Sequence, residues 1–153
     1  MSFWTWALEA YARPGAAEAC LDLQDRHGQC IPYLLWAAWA ARTGRSLDAK
    51  VLQAGAELCE RWEAAAVGPL RQARRAMKPS VARVDDGARE ALRAEVKALE
   101  LKAERLLIET LEALSPEAAS DSFPVGAALS AAASAWLSKA PPEALQRLAQ
   151  TLS

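Results

Sequence analysis

Residues 20–30, CLDLQDRHGQC, gather the chain's only histidine, His27, two of its three cysteines, Cys20 and Cys30, and the carboxylates of Asp22 and Asp25. Thiol, imidazole and carboxylate are the groups that ligate zinc or build a nucleophile–base pair. The spacing opposes both uses. Cys20 and His27 are seven residues apart, on one face of a helix but about 10.5 Å apart along its axis. Helical side chains lean toward the N-terminus together, so the two do not converge. A shared zinc needs each ligand within about 2.0–2.3 Å. Cys30 lies beyond Gly28, and one Cys–His pair makes no site. Ala16, Cys20, Leu23 and His27 instead read as one buried stripe, with Asp22, Asp25 and Arg26 on the other face. His27 sits near the helix C-terminus, where the dipole favours the charged imidazole. No metal and no cofactor are expected.

Other chemistry is equally thin. The sequence has no glycine-rich phosphate loop, no nucleophile elbow and no paired-carboxylate motif. Glu57, Glu60 and Glu63 flank Trp62 as a solvated helix face. An enzyme is the less favoured reading, although active sites do assemble from unremarkable residues.

Two features stand out. Between Glu63 and Asp85 there are five basic residues and no acid. Arg71, Arg74, Arg75 and Lys78 share one helix face, opposite Leu70, Ala73 and Met77. Such a patch fits phosphate groups, RNA or an acidic partner. It can equally be solvated, or pair with the acidic stretch from Asp85 to Asp121, which holds ten acids against five bases. No aromatics interleave with the bases, as single-stranded nucleic acid would favour. The second feature is six tryptophans. Core packing is their default role. Trp36 and Trp39 share a face. Trp4 and Trp6 point about 160° apart on a helix, so one of them is expected to face a groove or a partner. A pocket or interface lined by Trp4, Trp6, His27, Trp36, Trp39 and Trp62 is the weaker expectation.

Helices must position these residues. Alanine is abundant, while glycine and β-branched residues are sparse, and no alternating strand pattern occurs. Ser2 is placed to cap a first helix through Ala12. Pro14-Gly15 breaks it. A second helix ends at the Gly28 stop, a third runs from about Pro32 to Thr43, and Gly44 stops that one. Ser46 is placed to cap a fourth, which continues past Gly68-Pro69 as one kinked helix, with two helices meeting at Gly68 as the alternative. After the linker KPSVARVDDG, a helix spans about Asp86 to Leu114. Leu92, Val96, Leu99, Ala103, Leu106 and Thr110 repeat on it in steps of four and three, a coiled-coil-like seam for the preceding long helix. Ser115-Pro116-Glu117 reads as a fresh cap or turn, and Ser115 to Pro124 as a hinge. The tail carries Gly126, Ser130, Ser134 and Ser138 at four-residue spacing, which suits close helix packing, and then a last amphipathic helix. The expected fold is all-α: a bundle of five to seven helices with a long antiparallel hairpin. Residues 1–114 form the core domain, and 115–153 a small-residue-rich helical extension, packed on the core or used for docking.

The totals agree. A chain of 153 residues, 52% apolar and 24% charged, is globular, and its net charge of −1 sets up no global field. Three cysteines without CxxC spacing fit reduced thiols and a cytoplasmic location. The N-terminus lacks the basic start of a signal peptide. The apolar run Ile31 to Ala41 would reach roughly 16 Å as a helix, against about 30 Å of hydrocarbon, so no membrane contact is expected.

The stretches FWTWALEAYARPGAAEACLDLQDRHG and LLWAAWAARTGR, then Trp62 and PLRQARRAMK, resemble a family of small bacterial cytosolic proteins of uncharacterised function. The likeness covers about residues 3 to 112. Pro32 stands where a polar residue is expected, and residues after about 115 look like an extension. The resemblance implies a helical fold and a bacterial cytoplasmic protein, and nothing catalytic. The leading functional expectation is a non-enzymatic interaction or adaptor protein, its partner another protein or a second copy of itself. RNA or polyanion binding through Arg71, Arg74, Arg75 and Lys78 comes next. A small enzyme or apolar-ligand carrier with a tryptophan-lined pocket comes last.

Overall fold

The computed structural model describes residues 1–119 and 121–153. Its α-helices are α1 (Phe3–Tyr11), α2 (Ala16–His27), α3 (Ile31–Arg42), α4 (Ala49–Trp62), α5 (Gly68–Ala76), α6 (Asp86–Leu114), α7 (Val125–Ala135) and α8 (Pro142–Leu152). A π-helical turn, Glu63–Val67, joins α4 to α5. With that rod counted once, the described residues form seven helices and no strand, an all-α bundle.

α3 is the axis of the bundle. Ile31 and every residue from Tyr33 to Ala41 are buried. A helix apolar on all sides must be surrounded, and α1, α2, α4, α6 and α7 all pack on it. Trp36 and Trp39 are fully buried there, and Phe3 stacks on Trp39 with ring centroids 5.4 Å apart. Gly55 of α4 lets Trp36 in: a β-carbon at this position would fall 2.8 Å from Trp36 Cη2 and closer still to Cζ3.

The helix ends follow local chemistry. Ser2 Oγ accepts from the Thr5 amide at 3.2 Å. Gly28 and Gly44 take the left-handed conformation that stops α2 and the segment after α3. The cap of α4 is Asp48 rather than Ser46: its Oδ1 accepts from the Val51 amide at 2.8 Å. The rod passes Gly68-Pro69 without a break. Proline lacks an N–H and crowds the carbonyl one turn back. The wider π turn relieves that crowding, and the Gly68 amide donates to the Glu63 carbonyl five residues back. Only glycine fits, because a β-carbon on Gly68 would lie 2.8 Å from that oxygen.

α5 and α6 form the expected hairpin, but α6 is rotated away from the expected seam. Its buried residues are Arg89, Glu100, Ala103, Leu107, Ile108 and Leu111. Only Ala103 belongs to the four-three repeat, while Leu92, Leu99 and Leu106 are each about half exposed (52%, 49% and 51%). The reason is electrostatic. The basic side chains of α5 seek Glu100, one position round the helix from Leu99, and that pairing sets the face α5 covers.

The tail shares the core of the rest. Val125, Leu129, Ala132, Leu145, Leu148 and Leu152 belong to the same buried cluster as α3. The Phe123 amide donates to Ala41 O at 3.0 Å and the Ala119 amide to Gly44 O at 3.1 Å. These bonds satisfy carbonyls that the end of α3 leaves without helical partners. Ser115 ends α6 instead of starting a helix. The expected hinge includes Ser120, which lies outside the described residues. Of the small-residue stripe, Ser130 and Ser134 face solvent and Ser138 lies beyond α7, while Gly126 lies near α8, where a β-carbon would sit 3.9 Å from Ala149 Cβ.

Gly55→Ala tests the α3–α4 contact. Alanine favours a helix over glycine by up to about 1 kcal/mol, but overpacking against a buried indole costs about 1–3 kcal/mol. The substitution is expected to lower stability in urea unfolding. A neutral or stabilising result would show that Trp36 does not sit against this backbone.

Candidate ligand-binding groove

Helix α1 has two apolar faces. Phe3, Trp6, Ala7 and Ala10 enter the core. Trp4, Leu8 and Tyr11 point the other way, into a groove of about 780 Å³ that opens to solvent. Leu21 and Gln24 of α2, the 28–32 turn, the π turn, and Leu101, Leu107 and Ile108 of α6 complete its walls. The volume falls within the roughly 300–1,000 Å³ typical of small-molecule sites. Four large apolar side chains at the groove, Leu8, Tyr11, Leu21 and Leu101, are markedly exposed. Trp136 lies at the far wall, held by its indole N–H donating to Gly28 O at 3.0 Å.

The π turn belongs to the wall itself, contributing Glu63, Ala64 and Val67. Such turns recur at functional sites, because the extra residue re-aims side chains. Here it turns Glu63 toward Arg71. Arg71 Nη1 donates to Glu63 at 2.8 Å, Nε to Glu100 at 3.1 Å and Nη2 to Glu104 at 3.4 Å. Arg74 Nε donates to Glu100 at 2.5 Å. Burial opposes the charge of Glu100, but the hydrogen bonds and charges of Arg74 and Arg71 outweigh it and hold the carboxyl below its ordinary range. Glu104 goes the other way. Burial raises its pKa more than Arg71 lowers it.

The predicted basic face is therefore split. Arg71 and Arg74 bind carboxylates of α6 and the π turn. Arg75 and Lys78 are exposed, and neither forms a salt bridge among the described residues. Of the residues first considered for a pocket, only Trp4 lines the groove. Its ring lies beneath Arg105, 5.3 Å from the guanidinium carbon. Trp6, Trp36 and Trp39 are core residues. Trp62 is partly buried and donates to Ala103 O at 2.8 Å. His27 leaves the expected buried stripe and sits 3.9 Å from Asp22 Oδ2, outside the groove. Cys30 does reach the groove. The buried Cys59 thiol is pushed up, first by a hydrogen bond with Cys30 and then by burial. Burial pushes Cys20 up to about 11, so this thiol is protonated at neutral pH. Among the described residues no three His, Cys, Asp or Glu side chains gather as a metal would need.

Sequence reasoning missed Leu8, Tyr11, Leu21, Leu101 and Trp136 as a group. One signal was available: Trp4, Leu8 and Tyr11 lie at i, i+4 and i+7, a second stripe too wide for one core contact.

A family described as "Protein of unknown function (DUF2390)" matches residues 2–111, more than half of the chain. The chain belongs to that family. Every groove residue except Trp136 falls inside the matched span, whereas α7 and α8 lie beyond it. No curated protein and no solved structure matches the chain. No helix among the described residues is long and apolar enough to cross a membrane.

The Arg71–Glu100–Arg74 cluster yields a pH signature. Glu100 releases its proton more readily folded than unfolded. Its stabilisation is present above the ordinary carboxylate value and is lost as pH falls through the lower folded value. Glu104 contributes with opposite sign, favouring the fold while neutral. Glu100→Gln is expected to cost about 1–3 kcal/mol at pH 7, as for hydrogen bonds to charged groups. The deficit shrinks as pH falls below the ordinary carboxylate value toward the lower folded one. Urea unfolding of both proteins at neutral pH and near pH 3 reads this, and an equal deficit at both would refute it.

Proposed function

We propose that this protein binds an amphipathic small molecule in the groove between α1, α2, the π turn and α6. The observation that carries the reading is the groove itself: about 780 Å³, walled mainly by apolar side chains, with several large ones left exposed at its walls. Exposed apolar surface of this kind marks binding sites on soluble domains. The apolar body of the ligand lies along Trp4, Leu8, Leu101 and Ile108. Its polar end meets Glu63, Arg71 and Glu104.

That end favours a donor. Arg71 already directs its nitrogens at three carboxylates. A carboxylate has about four acceptor sites, so the capacity left unspent around Arg71 is for accepting hydrogen bonds. An amine- or hydroxyl-ended ligand suits it better than a carboxylate or phosphate. The same bonds remove Arg71 and Arg74 from any polyanion site, leaving Arg75 and Lys78 to support that reading. An adaptor role draws no comparable support from one feature of the fold. Binding, rather than catalysis, is the proposal.

The neutral apolar dye Nile red serves as the probe. Saturable fluorescence enhancement at one dye per chain is expected. Leu101→Arg, at a half-exposed position (53%) that leaves the core intact, should weaken uptake about tenfold or more, since a charge is forced against apolar surface. Arg75→Ala should leave it unchanged. Absence of saturable uptake, or equal uptake by Leu101→Arg with native circular dichroism, would end the proposal.

A further inference from the structure

The rotation of α6 leaves an apolar stripe outside the bundle. Leu92, Leu99 and Leu106 recur every seven residues and are each about half exposed. A strict heptad on a straight helix drifts about 20° per repeat, which a left-handed supercoil with a second helix absorbs. Among the described residues no helix takes that place, because α5 packs on the side of Glu100.

We infer that the stripe pairs with the same stripe of a second copy, antiparallel, about a two-fold axis at Leu99. The rim charges select this occupant. Glu95 and Lys102 flank the stripe on one edge, both exposed. Among the described residues neither enters a salt bridge, whereas Arg105 is paired with the neighbouring Glu109. Glu95 precedes Leu99 by four residues and Lys102 follows it by three. An antiparallel pair centred on Leu99 therefore places Glu95 beside Lys102 of the second copy, twice by symmetry. Leu92 then meets Leu106 of the second copy, and Leu99 meets itself. A two-fold interface must be self-complementary, and here leucines and charges satisfy one register together. In a parallel pair, each rim charge would sit level with its own like.

The seam from Leu92 to Leu106 is about 21 Å long. A seam this short is smaller than a standard stable interface, so association is weak, reversible and concentration-dependent. Leucine burial supplies most of the affinity, and the charges fix orientation. The groove stays open in the pair. Leu101 is two residues past Leu99, about 200° further round the helix.

Sedimentation velocity of the full chain, from micromolar to millimolar, tests the inference. A monomer–dimer equilibrium is expected. Leu99→Lys, at an exposed site, should abolish dimer while keeping native circular dichroism. Lys102→Glu sets like charges against each other and should weaken association about tenfold. Adding Glu95→Lys to Lys102→Glu restores opposite charges, and should recover association close to wild type. A chain monomeric at every concentration overturns the inference. So does a dimer indifferent to Leu99→Lys, or charge reversal that the double variant fails to rescue.

Discussion

A helix with no polar face organises this molecule. α3 carries Tyr33, Leu34, Leu35, Trp36 and Trp39 among alanines, and no orientation of it could face water cheaply. The tail helps to surround it through Val125, Leu129 and Ala132 of α7. The end of α3 is closed by the same segment, through the Phe123 and Ala119 amides. The Trp36 indole N–H, which burial would otherwise strand, donates to Ser115 Oγ at 2.7 Å. The polar requirements of α3 thus tie both ends of the 115–124 connection to the core.

A second constraint acts on charge. Glu100 is buried, and a buried carboxylate is tolerated only when paired. Arg71 and Arg74 meet that need from α5. Their bonds fix the rotation of α6, which decides both surfaces considered above. Leu101, Leu107 and Ile108 turn toward the groove, and Leu92, Leu99 and Leu106 turn outward. One ion-pair cluster therefore separates the ligand wall of α6 from its outer stripe.

The local grammar of the fold was legible. Ser2, Gly28 and Gly44 act as the sequence suggests, and α6 spans Asp86–Leu114 as its punctuation indicates. Those features depend on a few neighbouring residues. The rotation of α6 was not legible from periodicity, since hydrophobic spacing identifies an apolar face but not which partner covers it. Knowing that required the pairing of Glu100 with Arg71, 29 residues earlier. The groove was illegible for a similar reason. Its walls come from helices far apart in sequence, and its apolar residues look like ordinary helix stripes one at a time. For Trp4 and Trp6 the sequence showed only that one surface does not bury both; that Trp6 takes the core and Trp4 the groove came from the structure. His27 misled because the only histidine of a chain draws attention by rarity, whereas its half-buried ring lies outside the groove, 3.9 Å from Asp22 Oδ2.

The π turn links these threads. A plain α-helix through Gly68-Pro69 would crowd a backbone carbonyl. Opening the turn removes the crowding and shifts the helix register by one residue, about 100° of rotation. The two halves of the 49–76 rod therefore present different faces to α6. Before the turn, α4 sends Trp62 to Ala103 O. After it, α5 sends Arg71 and Arg74 to Glu100. Between them Glu63, Ala64 and Val67 edge the groove. A proline that would break most helices here changes the rod from apolar packing to charge pairing, and the groove occupies the place where the change occurs.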